Sequence, residues 1–454
     1  MTTTTDRLDR SVLKLAAVLV LGALAPLLDS TIVTVAIHTL GANLHASVAT
    51  VQWVSTAYLL ALAMAVPITG WSANRFGAKR MWIVALGLFL VGSMLCGAAW
   101  NIGSLIAFRV LQGIGGGLML PILQTLLMRA AGRERIGRLM AVVTLPATLG
   151  PILGPVIGGV LVGHLDWRWI FYVNAPICLA AIILAVRTLT PDPPATAARL
   201  DLLGLLLVSP ALAAIIYGLS QVSDHGFGQP AVLVPLAIGV VLLIAFVLRR
   251  AAEPLIDLAL FRTRSFAAST ALMFLTGFGL YGAMLLLPLF YQQARGETVT
   301  AAGLLLVPQG IGSLLARTAG GLTDRLGPRP VVLAGIVLTT LGTIPFAVDG
   351  ASYWLLGVAL VIRGAGLSGV NLAVMVGAFR DLEPVQIPHA SSTTRIMQQL
   401  GGAFGAATLA VVLQSQLTGH HASTAYAHSF GWAIGFTVLA AAPAFFLPRR
   451  RTLE

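Results

Sequence analysis

Long apolar runs and short polar connections alternate along this chain. Apolar runs of about 18 residues or more recur from one end to the other, and short connections between them hold the charged and turn-forming residues. A run of that length crosses the hydrocarbon core of a bilayer as an α-helix. The pattern predicts fourteen transmembrane helices, near residues 12–37, 50–70, 81–99, 103–128, 139–163, 170–188, 202–220, 231–248, 267–290, 300–319, 330–348, 353–377, 391–413 and 430–447.

The composition supports an all-α integral membrane protein. Of the 454 residues, 57% are hydrophobic and only 10% are charged, whereas a soluble domain has about 25% charged residues. The net charge of +12 is spread in short clusters rather than gathered with aromatic residues into one patch, so nucleic acid is not an expected partner. Cys96 and Cys178 both lie within apolar runs, which indicates neither a disulfide framework nor a metal site.

Basic residues fall on alternate connections. They cluster at both termini and around residues 75–80, 129–138 and 249–264, whereas the odd-numbered connections hold only Arg168 and Arg295. Because basic loops stay on the cytoplasmic side, we expect a multi-pass protein of the cytoplasmic (plasma) membrane with both termini in the cytoplasm. The first apolar run is too long for a signal-peptide core, and we expect it to be retained as an anchor.

An internal repeat divides the chain into halves. GWSANRFGAKR (70–80) returns as GGLTDRLGPRP (320–330), an offset of 250 residues, and Arg109 in FRVLQGIGGG aligns with Arg363 in IRGAGLSG. The offset spans eight helices, so both halves have the same orientation. We predict a six-helix bundle in residues 1–190, two inserted helices in 191–265 and a second six-helix bundle in 266–454. Parallel repeats build many transporters, with the substrate site between the halves near mid-membrane, although a duplication that serves only packing would give the same pattern.

Several of these motifs resemble the major facilitator superfamily, and within it the fourteen-helix drug:proton antiporters. The 70–80 loop resembles that superfamily's motif between helices two and three, LIAFRVLQGIGGG (105–117) its fourth-helix motif, and TLGPILGPVIGG (148–159) the fifth-helix motif associated with antiporters. LDSTIVTVAI (28–37) is similar to the first-helix motif of the fourteen-helix branch, and DWRWIFYVNAP (166–176) to another stretch of it. The resemblance covers essentially the whole chain and implies the major-facilitator fold.

The resemblance also implies a cytoplasmic latch between the halves. Its residues here are Gly70, Asn74, Arg75, Gly77, Lys79, Asp324, Arg325 and Gly327. The family usually has Asp at the position of Asn74, where it engages a helix terminus or a basic partner. Since Asn74 brings no charge to a helix dipole worth about 0.3–1 kcal/mol, we expect a somewhat looser latch in the first half.

Asp29 is the one carboxylate deep within any of the fourteen predicted spans. A charge at the bilayer centre costs at least about 2.5–3.5 kcal/mol, so such residues normally face a cavity or a partner. Arg109 lies at a similar depth in helix four and is the expected partner, because both residues are about 9–12 Å from the outer ends of their helices. One interpretation is proton and substrate coupling, with a cationic drug competing with the proton for Asp29. The other is a fixed structural ion pair.

The fifth predicted helix is rich in glycine and proline. Proline tends to kink a helix, and glycine permits close helix approach, so the motif could act as a hinge and a seal against proton leak. A packing motif without a gating role is the alternative. The residues concerned are Gly150, Pro151, Gly154, Pro155, Gly158 and Gly159.

Taken with the resemblance, these features favour a proton-coupled exporter of amphipathic drugs, antibiotics or biocides. A dedicated exporter of one endogenous secondary metabolite, an uptake symporter and a channel remain alternatives. No catalytic or metal-ligand cluster and no GxxxxGK[ST] loop is found in the sequence, so we expect neither an enzyme nor a cofactor, and the proton gradient as the energy source. The expected partners are the bilayer, an amphipathic small molecule and protons, and the expected state is a monomer.

Overall fold

The computed structural model describes residues 10–131, 154, 157–190, 192, 199–222, 226–249, 251, 254–316, 318–419 and 421–448. Within those ranges every regular element is a helix, and 11 helices are long and apolar enough to cross a membrane. Each of these 11 coincides with a predicted span, so the predicted all-α membrane fold is confirmed.

The described part of the first half contains six helical segments that correspond to predicted spans. They are α1 Arg10–Val35, α2 Val48–Ala65, α3 Ala78–Gly97, α4 Ile102–Ala131, α5 at residues 157–164 and α6 Asn174–Thr188. A 3-10 turn at Val66–Ile68, which contains Pro67, links α2 to a further helix, Thr69–Phe76. Most of the span predicted at 139–163 lies outside the described residues.

The rest of the chain adds eight segments. They are α7 Leu202–Ser220, α8 Pro230–Leu248, α9 Arg264–Leu289, α10 as the consecutive pieces Val299–Leu305, Val307–Leu315 and Thr318–Leu326, α11 Pro328–Thr343, α12 Tyr353–Phe379, α13 Ile387–Leu417 and α14 Ala422–Leu439. Two predicted boundaries were wrong. The span expected at 300–319 is broken into pieces, and the one expected at 430–447 begins eight residues earlier, at Ala422.

The internal repeat is visible in the packing of the two halves. A Cβ on Gly92 of α3 would lie 2.7 Å from the backbone nitrogen of Gln112 in α4, and one on Gly342 of α11 would lie 2.5 Å from that of Arg363 in α12. These glycines are 250 residues apart. Each therefore lets its helix touch the helix that carries the half's buried arginine, as small residues do in membrane bundles.

The same repeat fixes two left-handed turns. Gly77 ends the helix Thr69–Phe76 with φ +93°, and Gly327 ends Thr318–Leu326 with φ +86°. Residues with a Cβ rarely adopt such angles. The repeated glycines thus make the sharp turns that start α3 and α11.

The helices α7 and α8 pack as a hairpin beside both halves. Their contact is close, because a Cβ on Gly239 of α8 would lie 2.5 Å from the side chain of Ile215 in α7. In turn α7 contacts α2 of the first half and α13 of the second, and Ser209 Oγ donates a hydrogen bond of 2.7 Å to the Met64 carbonyl. Whether the predicted boundaries at 190 and 265 delimit independent units stays a prediction.

Candidate functional site

The membrane interior of the first half holds a sealed ion pair. Arg109 Nη1 of α4 donates to Asp29 Oδ2 of α1, and the two side chains are 1% and 0% exposed. The expected contact between these two residues is therefore present. Of the two settings expected for such a residue, a cavity or a partner, the structure shows the partner, and the Asp29 carboxylate is fully buried.

Neutral polar side chains complete the coordination of Asp29. Gln112 Nε2 and Asn174 Nδ2 donate to Asp29 Oδ1 at 2.9 and 3.2 Å. Both amides also donate to Ser93 Oγ, at 3.2 and 3.0 Å, and Ser93 itself donates to the Phe171 carbonyl at 2.8 Å. Side chains of α1, α3, α4 and α6 thus form one buried hydrogen-bond network around the Asp29 carboxylate. Each of the three side chains bonded to Asp29 donates to it.

Arg109 also makes several contacts besides the one with Asp29. Its Nε donates to the Val54 carbonyl at 3.0 Å, and Nη1 also donates to Gln112 Oε1 at 2.8 Å. The guanidinium lies 4.0 Å from the ring centroid of Tyr58 in α2, within the range of a cation–π contact. The Tyr58 hydroxyl in turn donates to the Pro26 carbonyl at 3.4 Å. The arginine therefore ties α2 to α1 and α4.

Protonation of Asp29 would change the balance of charge in this buried cluster. A buried ion pair is tolerated because each charge compensates the other, and removing one charge leaves the other uncompensated. Protonation of Asp29 would leave Arg109 as an isolated buried cation and would add an O–H that needs an acceptor. Asn174 Oδ1, which is buried and has no hydrogen-bond partner, is one acceptor within the same cluster after rotation of its amide.

The fifth-helix glycines lie against the helix that carries Asp29. A Cβ on Gly154 would lie 1.9 Å from Thr31 Oγ1, and one on Gly158 would lie 2.8 Å from the Ile32 side chain, whereas Gly159 faces open space. Close approach is thus required at two of the predicted positions and not at the third. Gly150, Pro151 and Pro155 lie outside the described residues.

On the side predicted to be cytoplasmic, the two halves meet at the latch. A Cβ on Gly70 would lie 2.9 Å from His389 Nδ1 in α13, and His389 Nδ1 lies 3.0 Å from the Leu255 carbonyl. Asn74 Nδ2 donates to the Val385 carbonyl at 3.2 Å. Two of the predicted latch residues therefore contact the second half directly.

The other latch residues occupy the ends of helices. Asp192 accepts from the backbone N–H groups of Lys79 and Arg80 at 2.9 and 3.2 Å and so caps the start of α3. Lys79 Nζ donates to the Leu189 carbonyl at 2.6 Å. Arg75 lies in the last turn of Thr69–Phe76, and Asp324 and Arg325 in the last turns of the equivalent helix Thr318–Leu326.

The sequence interpretation missed the amides around Asp29. Gln112 and Asn174 both lie in motifs quoted for the resemblance, and Gln112 is one helical turn beyond Arg109, which puts it on the same face. Arg363, the counterpart of Arg109 in the repeat, donates to Gln309 Oε1 at 2.8 Å and to the Gly279 carbonyl at 3.4 Å. Arg395, an intramembrane arginine in α13, was overlooked.

Comparison with known proteins places these features in a family context. The family model described as "Major Facilitator Superfamily" matches residues 19–406 and, in a second match, 269–454. The chain is 41% identical over 420 residues to the "Multidrug resistance protein B homolog" of Mycobacterium tuberculosis, covering 90% of this chain and 78% of the relative. It is 32% identical over 416 residues to the "Tetracenomycin C resistance and export protein" of Streptomyces glaucescens, covering 87% and 75%.

Solved structures show the same fold at low sequence identity. A double tryptophan mutant of XylE matches with a TM-score of 0.71 at 15% identity, covering 97% of both chains. The human organic anion transporter MFSD10 (TETRAN) matches with a TM-score of 0.65 at 16% identity, covering 97% of this chain and 100% of that one. At these identities the likeness concerns the arrangement of helices alone.

Proposed function

This chain belongs to the Major Facilitator Superfamily, and from that premise we propose that it is a proton-coupled antiporter that exports amphipathic compounds across the cytoplasmic membrane. Relatives named for multidrug resistance and for tetracenomycin C export support drug-like cargo and outward transport. The family and fold indicate a transporter rather than an enzyme.

The observation that carries the coupling is the sealed pair of Asp29 and Arg109. Ionisable groups within membrane spans are by default functional, and a carboxylate that is dry in one state and wet in another can bind and release a proton. Four helices of the first half converge on this carboxylate. A change in its charge therefore acts directly on their packing, and through it on the opening between the halves.

Transport by inverted membrane vesicles tests this function. Vesicles that contain the full chain are given an acidic interior, and uptake of three fluorescent amphipathic dyes, one cationic, one neutral and one anionic, is followed before and after the pH gradient is collapsed. We expect gradient-dependent uptake of at least one dye, and we expect Asp29→Asn to abolish it. Asp166→Asn is the matched control, because it removes a carboxylate that is 49% exposed and should leave uptake unchanged.

Two results would contradict the proposal. Uptake that continues after the gradient collapses would exclude proton coupling, and full gradient-dependent uptake by the Asp29→Asn variant would exclude this carboxylate as the coupling group. The same panel separates a multidrug exporter from a dedicated one. The Streptomyces glaucescens relative is named for a single compound, so transport of only one chemical scaffold would favour export of one endogenous product.

A further inference from the structure

A third intramembrane arginine lies in α13, a helix of the second half that contacts the first half. Arg395 is eight residues into α13, about 12 Å from the start of that helix, and its side chain is half-buried. Its one hydrogen bond in the described structure runs from Nη1 to Gln398 Oε1 at 2.8 Å, one turn along the same helix. A cation at this depth with only a neutral amide as its partner needs an explanation.

No carboxylate in the described structure neutralises Arg395. Arg395 takes part in none of the ion pairs Asp29–Arg109, Asp166–Arg168 and Asp201–Arg249. Deep in the described spans there are one aspartate and three arginines, and the aspartate is already paired with Arg109. Arg363 is 4% exposed and enclosed within the second half. Arg395 is the remaining one, and it is half-buried rather than enclosed.

Arg395 lies in a helix that borders the first half. The α13 helix contacts both α4 and the helix Thr69–Phe76 across the interface. At the same depth, about 10 Å from the end of α4, Gln124 is 6% exposed and its Oε1 has no partner. The contacting helices α4 and α13 therefore carry a buried polar atom without a partner and a cation without a carboxylate.

The ring of Tyr281 in α9 packs against the face of α13 on which Arg395 lies. Gly402 is two turns beyond Arg395, so the two positions share a helix face. A Cβ on Gly402 would lie 2.5 Å from the ring of Tyr281 in α9. Tyr281 thus meets α13 about 10 Å along the helix axis from the Cα of Arg395, a separation that one amphipathic molecule with an aromatic body and a charged group can cover.

We propose that Arg395 binds the acidic group of the transported compound and that the cargo of this protein is an organic anion, such as an aromatic carboxylate or phenolate, rather than a cation. The inference rests on the proposed function and specifies the substrate class of the same inter-half site. It differs from competition between a cationic drug and the proton for Asp29, because Asp29 is sealed and neutralised by Arg109. The guanidinium supplies the hydrogen-bond donors that a carboxylate accepts.

One fluorophore with three charges tests the proposal. Binding of dansylglycine (anion), dansylamide (neutral) and dansylcadaverine (cation) to the purified full chain in nanodiscs is measured by dansyl fluorescence at pH 7. We expect dansylglycine to bind at least about tenfold more tightly than dansylcadaverine. Since a hydrogen bond to a charged group is worth about 1.5–3 kcal/mol, Arg395→Gln should weaken dansylglycine binding about ten- to hundredfold and leave dansylamide binding unchanged.

Two further variants keep the test decisive. Gln398→Glu retains Arg395 but gives it a carboxylate partner, so it should reproduce the loss of dansylglycine binding even if Arg395→Gln folds poorly. Arg187→Gln removes an exposed positive charge at the end of α6 and should change none of the three affinities. A preference of the wild type for the cation, equal binding of all three dyes, or an equal loss for all three in Arg395→Gln would overturn the proposal.

The failure of this inference can be told apart from failure of the proposed function. If vesicles drive a dye by the pH gradient while binding shows no preference for the anion, transport stands and the assignment of Arg395 falls. If no dye moves with the gradient, the transport proposal itself falls, whatever the binding affinities show.

Discussion

At the residue scale, the central feature is a carboxylate that accepts hydrogen bonds from Arg109, Gln112 and Asn174. All of its partners are donors, so the described state is built for the ionised acid. Losing the charge on either side of the pair should be costly, because the remaining ion stays buried.

Asp29→Asn should therefore destabilise the folded protein by about 3–5 kcal/mol, the usual cost of breaking a buried ion pair. Asp29→Asn combined with Arg109→Gln removes both charges and should recover most of that loss. Thermal unfolding of the purified variants in detergent measures the change in stability. Coupled dye uptake should stay absent in the double variant, and uptake driven by the gradient there would show that the pair serves structure alone.

Much of this pair could be predicted from the sequence. The hydropathy of α1 singles out Asp29, and counting 1.5 Å per residue from the helix ends puts Arg109 at its depth. The amides could not be predicted in the same way. Gln112 and Asn174 cost far less than a charge in the membrane, so nothing in the hydropathy marks them, and only the packing of α3 and α6 shows that they reach Asp29.

At the scale of elements, the close contact of the glycine-rich fifth helix with α1 is the testable feature. Gly154→Ala would put a Cβ 1.9 Å from Thr31 Oγ1, so the helices must separate, at a cost of about 1–3 kcal/mol. Gly159→Ala is the matched control, because its Cβ would meet nothing within 4 Å. We expect reduced dye uptake for Gly154→Ala and normal uptake for Gly159→Ala.

Proton flux without substrate separates gating from packing in the same variants. A helix that seals the pathway should leak protons in folded Gly154→Ala proteoliposomes. A helix that only packs should lower stability and uptake without a leak, which would contradict the gating interpretation.

The hairpin of α7 and α8 gives a prediction about pH. Burial raises the pKa of Asp201, but the hydrogen bonds from Arg249 and the Gly204 N–H, with the charge of Arg249, outweigh it and hold that pKa below its ordinary value. A lowered pKa means that the stabilisation is fully present above the unfolded pKa of about 3.9 and is lost as the pH falls through the folded pKa.

Asp201→Asn should therefore lower the Tm by the same amount at every pH between 5 and 8, since Asp201 is ionised throughout that window. The loss reflects the missing ion pair with Arg249, because an asparagine can still accept the N-cap hydrogen bond from Gly204 N–H. Below a pH of about 3.9 the two proteins should converge. A difference that grows from pH 5 to pH 8 would contradict this account, and Asp166→Asn, which removes an exposed carboxylate, should show no difference.

Element boundaries show where sequence reasoning fails. Long apolar runs such as α8 were placed to within one residue, because their hydropathy dominates. The α10 segment breaks at Leu306, just before Pro308, where proline removes a backbone donor. The first turns of α14 carry Ser, Tyr and His, so its hydropathy rises only after the helix has begun. His428 lies in this helix, before the predicted start at residue 430, and its Nδ1 is 2.8 Å from Gln416 Oε1.

At the scale of the whole molecule, the parallel repeat was readable from the 250-residue offset, and the paired glycines Gly77 and Gly327 show it in the backbone. The contacts between the halves could not be predicted from the sequence, because Asn74 is more than 300 residues away from Val385 and His389. The sequence suggested a looser latch from the missing charge at Asn74. The structure shows a bond that an aspartate could not make, since the Asn74 amide donates to a carbonyl.

Two variants of Asn74 should separate the effect of the hydrogen bond to Val385 from the effect of a charge at this position. Asn74→Ala loses one hydrogen bond between the halves, worth about 0.5–1.5 kcal/mol, so the open population should rise about two- to tenfold. Asn74→Asp loses the same donor but places a charge near the start of α13, worth about 0.3–1 kcal/mol, so its net effect should be smaller.

Distances between spin labels at Arg80→Cys and Glu383→Cys report the opening of the latch, and the native cysteines are buried and should not label. Both label positions are exposed, one on each side of the interface. If the contact holds the halves together, Asn74→Ala should lengthen the mean distance more than Asn74→Asp does. Equal distance distributions in the wild type and Asn74→Ala would mean that closure depends on other contacts, with the approach of His389 to Gly70 as the next to test.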